Sequence, residues 1–340
     1  MFNYLFIISV FFFVNLIFFY LINLNKIKFA IYDYPDNYRK LHKKPTPTVG
    51  GFFIIIFLLY LFILDTFNFQ NIDTNLSFIA EGYKSKINLY IVCSLVFFLG
   101  YLDDKYNYNA SKKVLFLLIL IIGSVVLDKN LVLQNIHFSF TDKIINFDNL
   151  LALCFTIFCL FVFINALNMF DGSNGQLGIY SIILLLYLYS QNINLIYLLL
   201  IITLVFFLIL NLNDKIFLGN NGSYSLGFLL SILIIKSYNN FDTERIYADE
   251  YLVLMFLPGF EMIRLFISRI INNASPFSGD RNHIHHLILK KFENNWCQFY
   301  LILFVNLGIV MFYFFNFFVS FVFSIIIYIL SIIVLKKNND

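Results

Sequence analysis

Four polar clusters, each beside a strongly apolar run, carry the side chains of this chain best suited to chemistry. In GYLDDKYN, residues 100–107, Asp103 and Asp104 stand together at the end of a span. In FINALNMFDGSNGQLG, residues 163–178, Asn165, Asn168, Asp171 and Asn174 lie among three glycines. FLGNNGS, 217–223, and SPFSGDRNHIHH, 275–286, complete the set. An ionisable side chain at a helix end in lipid is costly and marks a substrate or ion site.

Each cluster has its own chemistry and a plainer alternative. Paired carboxylates can share Mg²⁺ with substrate phosphates, or one of them can serve as a base; otherwise the charges simply end a span. Asn165, Asn168 and Asp171 recur at three-residue spacing, which puts them on one face of a helix. Amides and a carboxylate so placed can bond a base or sugar and orient a metal, and the glycines allow close backbone approach. A polar C-cap ending at Gly172 accounts for Asp171 but not for the asparagines within the apolar stretch. Asn220 and Asn221 precede a helix predicted to start at Gly222 or Ser223, where backbone amides attract anions; the alternative is an ordinary Ser223 N-cap. The loop 275–291 gathers Asp280, Arg281, His283, His285, His286, Lys290 and Lys291, with three of the chain's five histidines inside four positions. Such imidazoles can ligate zinc, but the basic surroundings suit a diphosphate held by charge-assisted hydrogen bonds better. A fifth segment, DYPDNYRKLHKKPTPTVGG at 33–51, brings Arg39, Lys40, His42, Lys43 and Lys44 ahead of Gly50-Gly51, with a tight turn predicted at Pro-Thr-Pro-Thr.

The elements that position these groups must lie in a membrane. The chain is 60% hydrophobic and 13% charged, with 45 Phe and 22 Tyr, whereas a soluble domain keeps charged residues near a quarter of its composition. The first 24 residues lack a basic start and a cleavage site, so they read as a retained span rather than a leader. Cys93, Cys154, Cys159 and Cys297 have no ligand spacing and read as core or lipid-facing residues. A net charge of +3 gives no reason to expect nucleic acid. With about 20 apolar residues per crossing, eleven spans emerge: 2–24, 49–66, 87–102, 113–128, 150–168, 176–190, 194–211, 222–239, 250–270, 298–314 and 317–335. The span 250–270 carries Pro258, Gly259, Glu261 and Arg264 and is predicted to be broken. With the N-terminus outside, sixteen Lys and Arg fall in inner loops against six outside (Lys84, Lys86, Lys129, Lys143, Lys236 and Arg245). The positive-inside rule then puts all four clusters and the 25–48 loop in the cytoplasm. The outer segment 131–147 alternates and is predicted to form a short hairpin. The expectation is an all-α integral membrane protein of about eleven transmembrane helices, one polytopic domain over residues 1–340 with cytoplasmic active-site loops.

RKLHKKPTPTVGG, GYLDDKY, NALNMFDGSNG, FLGNNGS and SPFSGDRNHIHH occur in that order from residue 33 to 286. In content and order they resemble the motifs of the polyprenyl-phosphate N-acetylhexosamine-1-phosphate transferases, relatives of the phospho-N-acetylmuramoyl-pentapeptide transferase. The resemblance implies a cytoplasmic, Mg²⁺-dependent site, with Mn²⁺ as a substitute, in a bacterial cytoplasmic membrane. It implies transfer of a sugar-1-phosphate from a UDP-N-acetylhexosamine to undecaprenyl phosphate with release of UMP, the first membrane step of a cell-envelope polysaccharide, and it admits a homodimer. Carried over, Asp103 and Asp104 are the catalytic pair, with Asp103 a base or a phosphate-orienting group. Asp104, Asp171 and Asn220 are the metal positions. Lys43, Asn168, Asp171, Asn174, Arg281, His283, His285 and His286 bind substrate. The DRNHIHH pattern is similar to the N-acetylglucosamine-type branch. Two departures stand out: the family usually has aspartate where this chain has Asn174 and Asn220. An asparagine carbonyl can reach a hard cation but brings no charge. The rival classes are a transporter using the same polar helix ends without chemistry, and a catalytically impaired relative that still binds nucleotide-sugar or lipid carrier.

Overall fold

The computed structural model describes residues 2–24, 30–35, 44–67, 82–239, 247–275 and 282–337. Its elements in chain order are α1 (Phe2–Asn23), β1 (Tyr32–Asp33), β2 (Thr46–Pro47), α2 (Gly51–Thr66) and α3 (Gly82–Ile87). A π-helical turn, Asn88–Val92, joins α3 to α4 (Cys93–Tyr106) without a break. After it come α5 (Ala110–Leu127), β3 (Asn135–Ile136), β4 (Ile145–Asn146), α6 (Asn149–Phe170), α7 (Gln176–Gln191) and α8 (Leu195–Asn211). The chain continues through α9 (Gly219–Asn239), α10 (Ala248–Ile271), α11 (Ile284–Leu289), α12 (Asn294–Phe314) and α13 (Phe317–Lys336). This is an all-α membrane protein. Seven helices, counting 82–106 as one, are long and apolar enough to cross a bilayer; α2, α7 and α8 are apolar but shorter.

Polar caps punctuate the apolar runs. Asn107 ends α4 in the left-handed region with φ 50°; Asn194 Oδ1 accepts from Ile196 N at the start of α8, and Asn316 Oδ1 from Val319 N at the start of α13. The Asn194 and Asn316 side chains each satisfy an amide that has no partner inside its helix.

At the centre stands α9, buried from Asn221 through Tyr238 and packed among α2, α4 and α6. Its small residues let backbones approach, as expected of helix contacts within a membrane. A Cβ on Gly100 of α4 would lie 2.3 Å from the Asn220 carbonyl oxygen, and one on Gly51 would lie 2.7 Å from the Gly222 nitrogen. Helix α9 needs no lipid-facing surface, so its serines and glycines carry no cost against lipid.

Three local expectations are corrected. Helix α9 starts at Gly219, about one turn before the predicted Gly222 or Ser223, because Gly219 takes φ 74° and releases the chain into the helix early. Helix α10 is continuous through Pro258. Proline frees the carbonyl four residues back, and here that carbonyl, Leu254 O, accepts a hydrogen bond from Tyr180 Oη at 3.2 Å. The Pro-Thr-Pro-Thr segment is extended rather than turned: β2 pairs antiparallel with β1, and Thr48 bridges in parallel to Phe217. The residue before a proline favours extended backbone, which suits Thr46 in this strand. The predicted hairpin is present, β3 pairing antiparallel with β4.

Candidate active site

Helix α4 points its two aspartates at different neighbours. Asp103 is 1% exposed, its Oδ2 lies 2.8 Å from the Lys113 ammonium on α5, and its Oδ1 accepts from Tyr108 N at 3.1 Å. Asp104 instead reaches the start of α9. It accepts from the backbone N–H of Asn220 at 3.0 Å and of Asn221 at 3.1 Å, and from Asn221 Nδ2 at 2.6 Å. The anion expected at this helix start is therefore the chain's own Asp104 carboxylate, which complements the exposed amides and the helix dipole.

Asn221, beside the predicted Asn220, is a hub that sequence reasoning missed. Fully buried, it donates to Thr48 O at 3.0 Å and to Asp104, while its Oδ1 accepts from Gly51 N at 3.1 Å. One amide thus ties the Gly50-Gly51 entry of α2, the end of α4 and the start of α9. Gly51 has to be glycine here, since a Cβ would lie 2.1 Å from Asn221 Oδ1. Asn220 itself turns toward α6, where Asn168 Nδ2 donates to its Oδ1 at 3.1 Å and to Ser223 Oγ at 2.7 Å.

At the end of α6, Asp171 takes the C-cap position and the turn 171–175 folds back into α7. Burial, and after it the charge of Asp104, pushes the Asp171 carboxyl up to about 7. Asn174 bonds Asp214 at 2.5 Å, and its carbonyl accepts from Gln298 Nε2 on α12.

The histidine motif is held from α10. Glu261, 1% exposed, accepts from Ile284 N at 2.7 Å, from two nitrogens of Arg264, and from Tyr328 Oη. Arg264 in turn donates to Asn282 O at 2.6 Å. These bonds fix the start of α11 and with it His283, whose Nε2 lies 3.5 Å from the Arg269 guanidinium. His285 is 3% exposed and neither ring nitrogen has a hydrogen-bond partner among the described residues. Burial, then His286, His283 and Arg264, hold its imidazole well below the ordinary range, so it is neutral. Gly172 makes room for this ring, since a Cβ there would come within 1.9 Å of His285 Cε1.

All of these ends meet on one open cleft of about 1040 Å³. It is lined by Asp104, Asn165, Asn168, Asp171, Asn174, Asn220, His283, His285 and His286, with Lys113 and Arg269 supplying positive charge. Asp103 is not in its wall but grips Lys113, which is. Lys113 and Arg269 entered the sequence reading only as inner-loop charges; what singles them out is packing against Asp103 and His283. Lys43, Asp280 and Arg281 lie outside the described residues.

No trio of His, Cys, Asp or Glu among the described residues is placed to hold a metal, so the zinc alternative for the histidines lacks a ligand set there. Magnesium asks for less: one or two carboxylates, with waters and substrate phosphates completing its octahedron. Asp104 and Asp171 both face the cleft and are close enough for one charge to act on the other. That donor set fits Mg²⁺.

A family model described as Glycosyl transferase family 4 matches residues 87–238. The undecaprenyl-phosphate alpha-N-acetylglucosaminyl 1-phosphate transferase of Salmonella typhi is 26% identical over 301 residues, covering 84% of this chain and 76% of that protein. Its Yersinia pestis counterpart is 28% identical over 279 residues, covering 78% and 71%. Over residues 87–238 the chain is similar to glycosyl transferase family 4. A probable undecaprenyl-phosphate N-acetylglucosaminyl 1-phosphate transferase of Bacillus subtilis (strain 168) is also similar, 26% identical over 275 residues, 77% of this chain and 71% of that protein. The family 4 match spans the Asp103-Asp104, Asn168–Asn174 and Asn220 clusters; the histidine loop lies beyond it and joins the cleft through the Glu261 bonds.

Proposed function

We propose that the protein transfers an N-acetylhexosamine-1-phosphate from a UDP-sugar to undecaprenyl phosphate and releases UMP, with the cleft facing the cytoplasm of a bacterium. N-acetylglucosamine is the first sugar to test, being the one in the relatives' names. The observation that carries this reading is the convergence of clusters scattered from Asp104 to His286 on one cleft at the ends of membrane helices.

In this reading a phosphate oxygen of the lipid attacks the β-phosphorus of the donor. A new P–O–P link forms, the bond from the β-phosphorus to the oxygen bridging the α-phosphorus breaks, and UMP leaves with that electron pair. Such chemistry needs mainly positioning and charge neutralisation. Lys113 orients the lipid phosphate, and Asp103 acts through it, holding the ammonium in place. Arg269 and the histidine face meet the diphosphate, with neutral His285 able to donate one N–H to a phosphate oxygen. Asp104 and Asp171, with Asn220 beside them, are the positions that would hold Mg²⁺, which when bound neutralises charge on the diphosphate. Lys43 and Arg281 are further substrate contacts in this reading. Eleven crossings follow if the three shorter apolar helices and buried α9 join the seven long ones, and a homodimer in the bilayer belongs to the same reading.

The test is purified protein with undecaprenyl phosphate, Mg²⁺ and a panel of UDP-sugars, scored for UMP. Release that requires both the lipid phosphate and a UDP-N-acetylhexosamine is expected. No release with any sugar would overturn the assignment.

A further inference from the structure

The cleft is uneven in charge. Where the 171–175 turn meets the 212–214 turn, its wall is Ser173, Asn174, Asn211 and Asp214: a hydroxyl, two amides and a carboxylate. No cation lines this part among the described residues, whereas Lys113 and Arg269 stand with the aspartate pair and the histidines. A phosphate belongs with the cations. The amide end suits the uncharged polar part of a ligand, groups that both donate and accept hydrogen bonds.

This end is braced before any ligand arrives. Asn211 Oδ1 accepts from Gly175 N at 2.6 Å, and its Nδ2 donates to Ile216 O at 2.8 Å. Gln298 Nε2 holds the Asn174 carbonyl at 2.5 Å. Asp214 sits in the left-handed region with φ 58°, its N–H bonded to Asn211 O at 3.0 Å, and its Oδ1 accepts from Asn174 Nδ2 at 2.5 Å. Asp214 Oδ2 takes no hydrogen bond from the described residues. One carboxylate oxygen is therefore fixed, on an exposed residue that lines the cleft.

The pairing also bears on a departure noted in the sequence. An aspartate at 174 would set two carboxylates at hydrogen-bond distance. The asparagine is the residue Asp214 can bind, and the negative charge of this end stands across that bond instead.

We propose that Asp214, oriented by Asn174, is the hydrogen-bond acceptor that reads the hydroxyl or N–H groups of the donor substrate, on its nucleoside or on its sugar. This rests on the donor being a UDP-sugar. Asp214 is exposed, so a ligand lacking the matching donor forgoes a charge-assisted hydrogen bond that water otherwise makes, a loss on the order of tenfold in affinity.

The experiment compares wild type with Asp214→Asn, Asn174→Asp and the double exchange, each checked by thermal melting in detergent. It reads KM and kcat for the UDP-sugar together with UMP affinity by calorimetry. Asp214→Asn should raise KM about tenfold with kcat within about threefold, and Asn174→Asp should do likewise by forcing two carboxylates together. The double exchange restores one amide and one carboxylate, so KM should return to within about threefold of wild type, a coupling that independent sites do not show. Loss of UMP affinity in step with KM assigns the contact to the nucleoside; raised KM with unchanged UMP affinity assigns it to the sugar. Unchanged KM and UMP affinity in Asp214→Asn, or additive losses in the double exchange, would overturn the proposal. A wild type that neither binds UMP nor turns over any UDP-sugar overturns the function itself, and this inference with it.

Discussion

Asp103 and Asp104 are neighbours with different work, and their substitutions should separate accordingly. Asp104→Asn removes a carboxylate from the cleft wall, and a neutral amide cannot replace its charge toward a hard cation; UMP release should be abolished at any lipid concentration. Asp103→Asn leaves the wall intact but loosens Lys113, so its loss should appear first as a raised requirement for lipid phosphate. A titration of undecaprenyl phosphate for the two variants checks the split. Asp171 adds a pH dependence. Its carboxyl keeps its proton up to about 7 in the folded chain against an ordinary 3.8. The folded state thus binds more protons than the unfolded one between those values, and this group's contribution to stability falls as pH rises through that window. A bound cation would relieve the penalty, so Mg²⁺ should raise the melting temperature more at about pH 8 than at about pH 5. Asp171→Asn should diminish that difference. At Asn220, beside Asp104, a carboxylate adds attraction for the cation, so Asn220→Asp should lower the Mg²⁺ concentration for half-maximal UMP release; an unchanged titration would remove this position from the metal site.

Among the elements, α9 is the one on which the others are aligned. Asn221 joins it to α2 and α4, and Asn221→Ala would leave buried partners unmet at about 1–3 kcal/mol for each. Gly100→Ala drives a Cβ into the Asn220 backbone at 2.3 Å, where no flexible side chain can yield, and overpacking of that kind costs about 1–3 kcal/mol. Both should lower the melting temperature and turnover together, because the contact they spoil also holds Asp104. Tyr180→Phe is the contrasting case. It removes the hydroxyl that serves Leu254 O below Pro258, at about 1 kcal/mol, with turnover nearly unchanged because α10 meets the histidine loop elsewhere, at Glu261 and Arg264. Thermal melting and UMP release measured on the three variants distinguish these outcomes.

For the molecule as a whole, sidedness is the property to test. The ends of α4, α6, α8 and α10, the starts of α5 and α9, and the turn 171–174 that leads to α7 all reach the cleft, while the β3–β4 hairpin belongs to the opposite end, where Asp249 accepts from Ser139 N. On the function proposed above, with the basic loops on the inner side, the cleft faces the cytoplasm. Cysteines introduced at exposed Asn295 on the cleft and exposed Lys143 on the hairpin should therefore react oppositely with an impermeant thiol reagent. Asn295→Cys should label in inverted vesicles and Lys143→Cys in right-side-out ones, each above the background of the native cysteines. The reverse pattern would place the cleft outside and remove access to a cytoplasmic nucleotide-sugar.

Much of this was legible in the chain itself. Apolar run length placed the helices to within a few residues, because the length needed to cross lipid is a property of the bilayer rather than of neighbours. Alternation marked the hairpin, and polar residues stranded at span ends marked the clusters, since lipid makes such positions costly unless they are used. Facing was another matter. Adjacent residues on a helix point about 100° apart, so which of Asp103 and Asp104 enters the cleft depends on how α4 is rotated, and that is set by Gly100 against the start of α9. The same holds for Asn221 against Asn220, one buried hub and one wall residue with the same side chain. Asp214 with Asn174, Lys113 with Asp103, and Glu261 with Ile284 N join residues far apart in the chain. No local pattern encodes such pairs, because their energy exists only once packing has brought the partners together.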